Sequence, residues 1–264
     1  MSTYQLVLTD SATMLRRNLR RMRRYPSLTL FIAGIPVVLL LLFVYVFGGT
    51  LGAGIGTIAG GRAEYLAYVV PGILLITVAG ASQGTAISMA MDMNEGIIAR
   101  FRTMAIARSS VLTGHVIGSV IQTMLAIAIV TLVAVLMGFR STTGPVDWAA
   151  AMVLLMLAAL AISWLSVALG MAAGSVETAS NLPMFLVFLP FLSSGFVPTG
   201  SMPPGLAWFA EHQPFTPIIE TVRGLLEGTP IGDAGLVAVG WCVGITVLGY
   251  LWARKLYDRD PVRS

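Results

Sequence analysis

The residues able to do chemistry in this chain fall into a few short stretches, and one of them carries opposed charge at its two ends. Asp92-Met93-Asn94-Glu95-Gly96 is acidic, and Arg100, Arg102 and Arg108 follow closely. Between and beside them Ile97, Ile98, Phe101, Met104 and Ile106 give one apolar side at helical spacing. Acid at a helix start and base toward its end suit the helix dipole. The pattern predicts a short helix built to dock, on a soluble partner with a groove or on interfacial lipid. Catalysis has less to work with. There is no G-x-S-x-G elbow, no H-E-x-x-H and no paired intramembrane carboxylate. His115, His212 and the lone Cys242 form no metal pattern, and no intrachain disulfide is possible. Gly52-Ala53-Gly54-Ile55-Gly56 lacks the lysine of a phosphate-binding loop, so no nucleotide site is expected in this chain.

The elements that must position these residues are apolar. Hydrophobic residues make up 56% of the chain and charged residues 11%, against roughly 25% charged in a soluble domain. Such a chain cannot cover itself for water. Six spans are expected, at about Leu28–Phe47, Tyr65–Met91, Val111–Phe139, Trp148–Ala173, Leu182–Val197 and Ala234–Ala253, each set against the ~20 residues of a bilayer crossing. The fifth is short and carries Pro183 and Pro190. Those prolines free backbone carbonyls, which neighbouring groups must then cover.

Orientation follows from the cations. Arg16, Arg17, Arg20, Arg21, Arg23 and Arg24 precede the first span. Arg100, Arg102 and Arg108 lie between spans two and three, and Arg254, Lys255, Arg259 and Arg263 follow the last. With both termini inside, 13 of the 16 basic residues are cytoplasmic, and only Arg62, Arg140 and Arg223 lie outside. Arg16-Arg17 before an apolar run resembles a twin-arginine signal, but the run is too long and more spans follow. Residues 1–26 are expected to form an amphipathic cytoplasmic helix, with Leu8, Ala12, Leu15, Leu19 and Met22 on one side and Pro26 ending it. Residues 27–255 form the membrane domain and 256–264 a cytoplasmic tail. The pI of about 9.6 reflects charge beside membrane segments, so lipid headgroups rather than nucleic acid are the expected partner.

The span middles lack Asp, Glu, Lys and Arg, which leaves a proton- or sodium-coupled carrier little to use. His115, near the start of span three, reads as an interfacial or packing residue. Gln83, Thr85 and Ser88 in span two and Gln122 and Thr123 in span three are candidates to line a path, or to bond between helices. Gly170-x-x-x-Gly174 and Gly240-x-x-x-Gly244 have close-packing spacing. In the last outer loop Thr216 is expected as N-cap, Pro217 as first helical residue and Gly228 as terminator. Ile218, Val222 and Leu225 form the apolar stripe there, with Glu220, Arg223 and Glu227 on the polar side.

Asn94-Glu95-Gly96, Arg100, Arg102 and Ala107-Arg108 resemble the first coupling-helix region of type-2 ABC exporter permeases, closest to the daunorubicin-resistance branch. Ser175-Val176-Glu177-Thr178-Ala179 and Phe191-Leu192-Ser193-Ser194-Gly195-Phe196-Val197-Pro198 extend the likeness, as do Met202-Pro203, Trp208, Pro214-Phe215-Thr216 and Arg223-Gly224-Leu225-Leu226. Relatives often place proline where Ala105 stands. The resemblance implies an all-α fold with six transmembrane helices, an N-terminal elbow helix, a cytoplasmic coupling helix and short helices in the last outer loop. It implies a non-catalytic permease that pairs with a second copy, as a homodimer in a bacterial plasma membrane. ATP and magnesium would then bind a separate ABC ATPase subunit. Docking contacts would come from Asn94, Glu95, Gly96, Arg100, Arg102, Arg108 and Glu177. An uncharged path suits an amphipathic drug, antibiotic or lipid-like cargo. A lipid-linked glycan flippase, a cation-extrusion permease, and a membrane enzyme or scaffold are the alternatives.

Overall fold

The structure is a computed structural model that describes residues 26–49, 61–96 and 108–258. Every regular element among them is helical. Helix α1, Pro26–Leu41, passes into a π-helical stretch, Leu42–Phe47. Helix α2 is Arg62–Asn94, α3 Arg108–Leu136 and α4 Pro145–Ala172. Two short helices, α5 (Val176–Asn181) and α6 (Met184–Phe188), lead into a 3₁₀ turn, Leu189–Leu192. Helices α7 (Pro204–His212) and α8 (Phe215–Glu227) form a hairpin before α9, Ala234–Asp258.

Four stretches are long and apolar enough to cross a bilayer: Arg62–Asn94, Leu112–Leu136, Pro145–Ala172 and Ala234–Asp258. Helix α2 is the hub. Tyr65, Val69, Ile73, Leu75 and Met89 are fully buried on different faces of it, because α1, α3, α4, α5 and α8 all pack around it. At 33 residues it measures about 50 Å, against a hydrocarbon core of about 30 Å. It is therefore longer than the apolar layer is thick, and Asn94 and Glu95 are exposed at its C-terminal end.

Packing shows which ends lie together. A Cβ on Gly48 would lie 3.5 Å from the Arg62 side chain, and the Arg62 guanidinium lies 5.2 Å from the Tyr45 ring centre. The α1 C-terminus thus meets the α2 N-terminus. Ser141 and Thr142, between α3 and α4, donate to the Leu226 and Glu227 carbonyls at the end of α8. At the opposite end Gly170, in the last turn of α4, lies against Ala86 and Met89.

Several expectations change. The fifth apolar segment is not one helix. It breaks at Leu182–Pro183 and tightens at Leu189–Leu192, because Pro183 and Pro190 remove two amide donors. The last helix runs beyond residue 253 to Asp258, with Arg254 and Asp258 3.9 Å apart on its surface. Thr216 does not cap its helix. Helix α8 starts at Phe215, and the Thr216 hydroxyl donates to the Ala210 carbonyl and accepts from the Ser194 amide at 3.3 Å. Gly228 does terminate α8, at φ 73°, a left-handed conformation that glycine adopts without steric penalty. Of the four paired glycines only Gly170 makes a close approach. Gly174, Gly240 and Gly244 have no atom within 4 Å of a built Cβ. The close glycine of α9 is Gly249, where a Cβ would sit 2.8 Å from the Leu165 amide nitrogen. The expected N-terminal helix, and the expected helix with Ile97, Ile98, Arg100, Phe101, Arg102, Met104 and Ile106, lie outside the described residues.

Candidate functional site

At its C-terminal end α2 closes with the Glu95 amide on the Met91 carbonyl (2.9 Å) and the Gly96 amide on the Met93 carbonyl (3.2 Å). Gly96 has φ 69°, so the chain turns sharply away from the helix axis there. It re-enters helix at Arg108. Glu177 is exposed in the first turn of α5, whose N-cap is Ser175; the Ser175 hydroxyl accepts from the Thr178 amide at 3.1 Å. Because α4 ends beside Ala86 and Met89, Glu177 comes off the same end of the bundle as Asn94, Glu95 and Gly96.

Just inside this end lies a contact absent from the sequence reading. The His115 Nε2 is 3.0 Å from the Asp92 Oδ2, and both side chains are buried. His115 is more than a packing residue. An acid on α2 and a histidine on α3 flank the same connection, so the two fall level when the helices run antiparallel. No spacing rule flags such a pair, because its partners are 23 residues apart and on different helices.

The five candidate path residues separate. The Thr85 hydroxyl is 2.6 Å from that of Ser119, which accepts from the Ser163 hydroxyl at 3.0 Å. Thr123 donates to the Ser119 carbonyl at 2.9 Å. Thr85 thus belongs to a buried polar knot among α2, α3 and α4, the interhelical role open to such residues, whereas the Thr123 hydroxyl bonds back within α3. Gln83 lies on an exposed side of α2 and donates to the Ser180 carbonyl at 2.9 Å. Ser88 and Gln122 are half-buried.

The other end of α2 holds the broken segment. The Gln213 amide donates to the Leu189 and Leu192 carbonyls, each at 2.9 Å. The Ser194 carbonyl accepts from the Tyr68 hydroxyl (2.8 Å) and from Arg223 Nη2 (2.8 Å). Arg223 also donates to the Tyr68 carbonyl at 3.1 Å through Nη2 and at 3.3 Å through Nε, and its guanidinium lies 3.8 Å from the Tyr68 ring centre. Arg223, expected on a polar outer side, is instead a half-buried clamp. Burial draws its pKa down, while Tyr68, Glu227 and Glu220 hold it up. Below the clamp the backbones nearly touch, since a Cβ on Gly72 would lie 2.7 Å from the Gly195 carbonyl oxygen. Gln213→Leu should strand two carbonyls, at roughly 1–3 kcal/mol for each buried group left unpaired. The expected result is a clear fall in melting temperature in detergent, with Gln213→Asn intermediate.

A helical bundle with four helices long and apolar enough to cross a bilayer, and a clamped helix break at one end, defines a polytopic membrane protein. The chain belongs to the ABC-2 type transporter family, which it matches over residues 10–226. It is 30% identical over 232 residues to the daunorubicin resistance ABC transporter permease protein of Streptomyces coeruleorubidus, covering 87% of this chain and 80% of that one. A probable doxorubicin resistance ABC transporter permease protein of Mycobacterium tuberculosis is 26% identical over 183 residues, 68% of this chain and 65% of that protein. ABC transporter G family member 20 of Dictyostelium discoideum is 27% identical over 200 residues, 72% of this chain but only 27% of that protein.

Proposed function

We propose that this chain is the permease subunit of an ATP-driven exporter that moves an amphipathic or hydrophobic drug-like compound out of the cell. The likeness to a daunorubicin resistance permease over 87% of the chain carries the proposal. Six crossings then arise from α1 with its π extension, α2, α3, α4, the broken α5–α6 segment and α9. Residues 1–26 serve as an elbow helix, 27–255 as the membrane domain and 256–264 as the tail. Both termini are cytoplasmic, as the placement of 13 of 16 cations favours. The α7–α8 hairpin then lies at the outer face and dips back into the outer leaflet. Exposed Trp208, stacked on His212 at 4.7 Å, suits that interface.

A separate ATPase subunit binds ATP and magnesium and docks beneath Asn94, Glu95, Gly96, Arg100, Arg102, Arg108 and Glu177. Two copies of the permease pair as a homodimer. Gln83 lies on an exposed side of α2, bonded to the Ser180 carbonyl, and Phe185 and Phe188 are exposed on the broken segment that follows Ser180. Aromatic and amide groups together suit a planar amphipathic cargo more than a free ion.

The test is export by the reconstituted permease with its ATPase. Reversing Glu95 and Arg100 together should abolish stimulated ATP hydrolysis while leaving membrane insertion intact. Normal export by that double reversal would show that the docking contacts lie elsewhere. Failure of any ATPase to copurify in mild detergent would favour a membrane enzyme or scaffold instead.

A further inference from the structure

Given the transporter reading above, we propose that Asp92 and His115 form a clasp that makes the cytoplasmic ends of α2 and α3 move as one lever. They are positioning residues that couple ATP hydrolysis to transport. The pair sits where α2 and α3 converge on the docking connection, with Nε2 and Oδ2 3.0 Å apart. Met89 on α2, Leu112 and Val116 on α3, and Trp164 and Met171 on α4 form a buried apolar cluster shared by the helices that carry the pair. A buried carboxylate is costly unless paired, so the bond to His115 favours one geometry of the two side chains. Apolar contacts alone allow helices to slide and rotate; a buried hydrogen bond is directional.

A second pin reinforces the first. Thr85 on α2 and Ser119 on α3 are joined at 2.6 Å. Seven residues separate Asp92 from Thr85, about 10 Å along the helix. Two pins at different heights fix the angle between α2 and α3 as well as their separation. The upper pin also holds α4 through Ser163, whereas the Asp92–His115 contact joins the two helices that flank the docking connection. With it intact, a push on that connection tilts both helices together. Without it, each end yields separately and the motion dissipates before it reaches the outer end of the bundle.

The test uses the full permease with its ATPase in proteoliposomes, and measures transport and ATP hydrolysis in parallel. Replacing both partners by apolar groups of similar size, Asp92→Leu with His115→Phe, removes the bond from both sides at once. This variant is expected to keep its melting temperature, ATPase binding and hydrolysis rate while transport per ATP falls at least about tenfold. Asp92→Asn, whose side-chain oxygen still accepts from the imidazole, is expected to keep more than half of the wild-type ratio. Transport per ATP at the wild-type value in the apolar pair overturns the proposal. If the apolar pair does not accumulate, Asp92→Glu takes its place, because it keeps the carboxylate but displaces it by one methylene. An unchanged ratio there overturns the clasp, and a lowered ratio at unchanged hydrolysis supports it. Absence of ATP-dependent transport in the wild type would instead sink the exporter reading.

Discussion

Arg223→Met is expected to leave a protein that inserts into the membrane but melts earlier and exports poorly. The guanidinium makes three hydrogen bonds to two backbone carbonyls and lies over the Tyr68 ring. Hydrogen bonds to charged groups contribute about 1.5–3 kcal/mol each, and a desolvated cation–π contact about 2. Burial of the cation opposes these gains, as its lowered pKa indicates. A net loss of roughly 2–3 kcal/mol is the reasonable magnitude once that cost is set against the contacts. The loss concentrates at Ser193-Ser194-Gly195, where the broken segment meets α2, so this end of the bundle is selectively weakened. A bias of 2–3 kcal/mol between two states shifts their ratio roughly 30- to 150-fold, enough to uncouple a transport cycle. Arg223→Lys separates charge from shape. Lysine keeps the cation but lacks the planar fork that reaches both carbonyls. It is expected to restore less than half of the melting shift. Full rescue by lysine would mean that charge alone holds this end.

Gly170→Leu should have the largest effect on folding. Even a Cβ at this position overlaps the Ala86 carbonyl oxygen, and it lies 3.0 Å from both the Ala86 Cα and the Met89 Cβ. These are mostly backbone atoms of the hub helix and cannot swing aside. Overpacking commonly costs about 1–3 kcal/mol. Here α4 must move off α2 along its most extensive contact but one, so Gly170→Leu is expected to abolish accumulation in the membrane, and Gly170→Ala to reduce it several-fold. Gly249→Ala should fail for the same reason against Trp164 and Leu165. Gly240→Ala and Gly244→Ala meet nothing within 4 Å. They should accumulate normally, with up to about 1 kcal/mol of gain from helix propensity. Quantitative membrane immunoblotting across the four alanine variants checks the contrast. Equal accumulation of all four would mean that α4 and α9 do not approach their neighbours as described.

Local features carried much of this fold. Long apolar runs separated by charge clusters define bilayer-length helices because hydrocarbon excludes unpaired backbone groups and charges, whatever lies next to them. Pro183 and Pro190 announced a break for an equally local reason, a missing amide. Gly228 announced a helix end because a left-handed residue closes an α-helix wherever it stands. None of these inferences needs a neighbour.

Which face of each helix meets protein did not follow in the same way. Lipid and core are both apolar, so periodicity that separates inside from outside in a soluble protein loses contrast in a membrane. Gly240 and Gly244 had the spacing of a contact, yet Gly249 makes it, because the rotation of α9 against α4 is set by Trp164 and Leu165. Arg223 read as a solvated charge until the hairpin folded it onto Tyr68 and Ser194. Sequence alone determined that this chain is a multi-pass helical membrane protein. Only tertiary structure determined that Asp92 meets His115 and that Gln213 and Arg223 close the broken segment. Such pairings depend on helix rotation and register, which emerge when distant segments pack and are encoded in no single stretch of the chain.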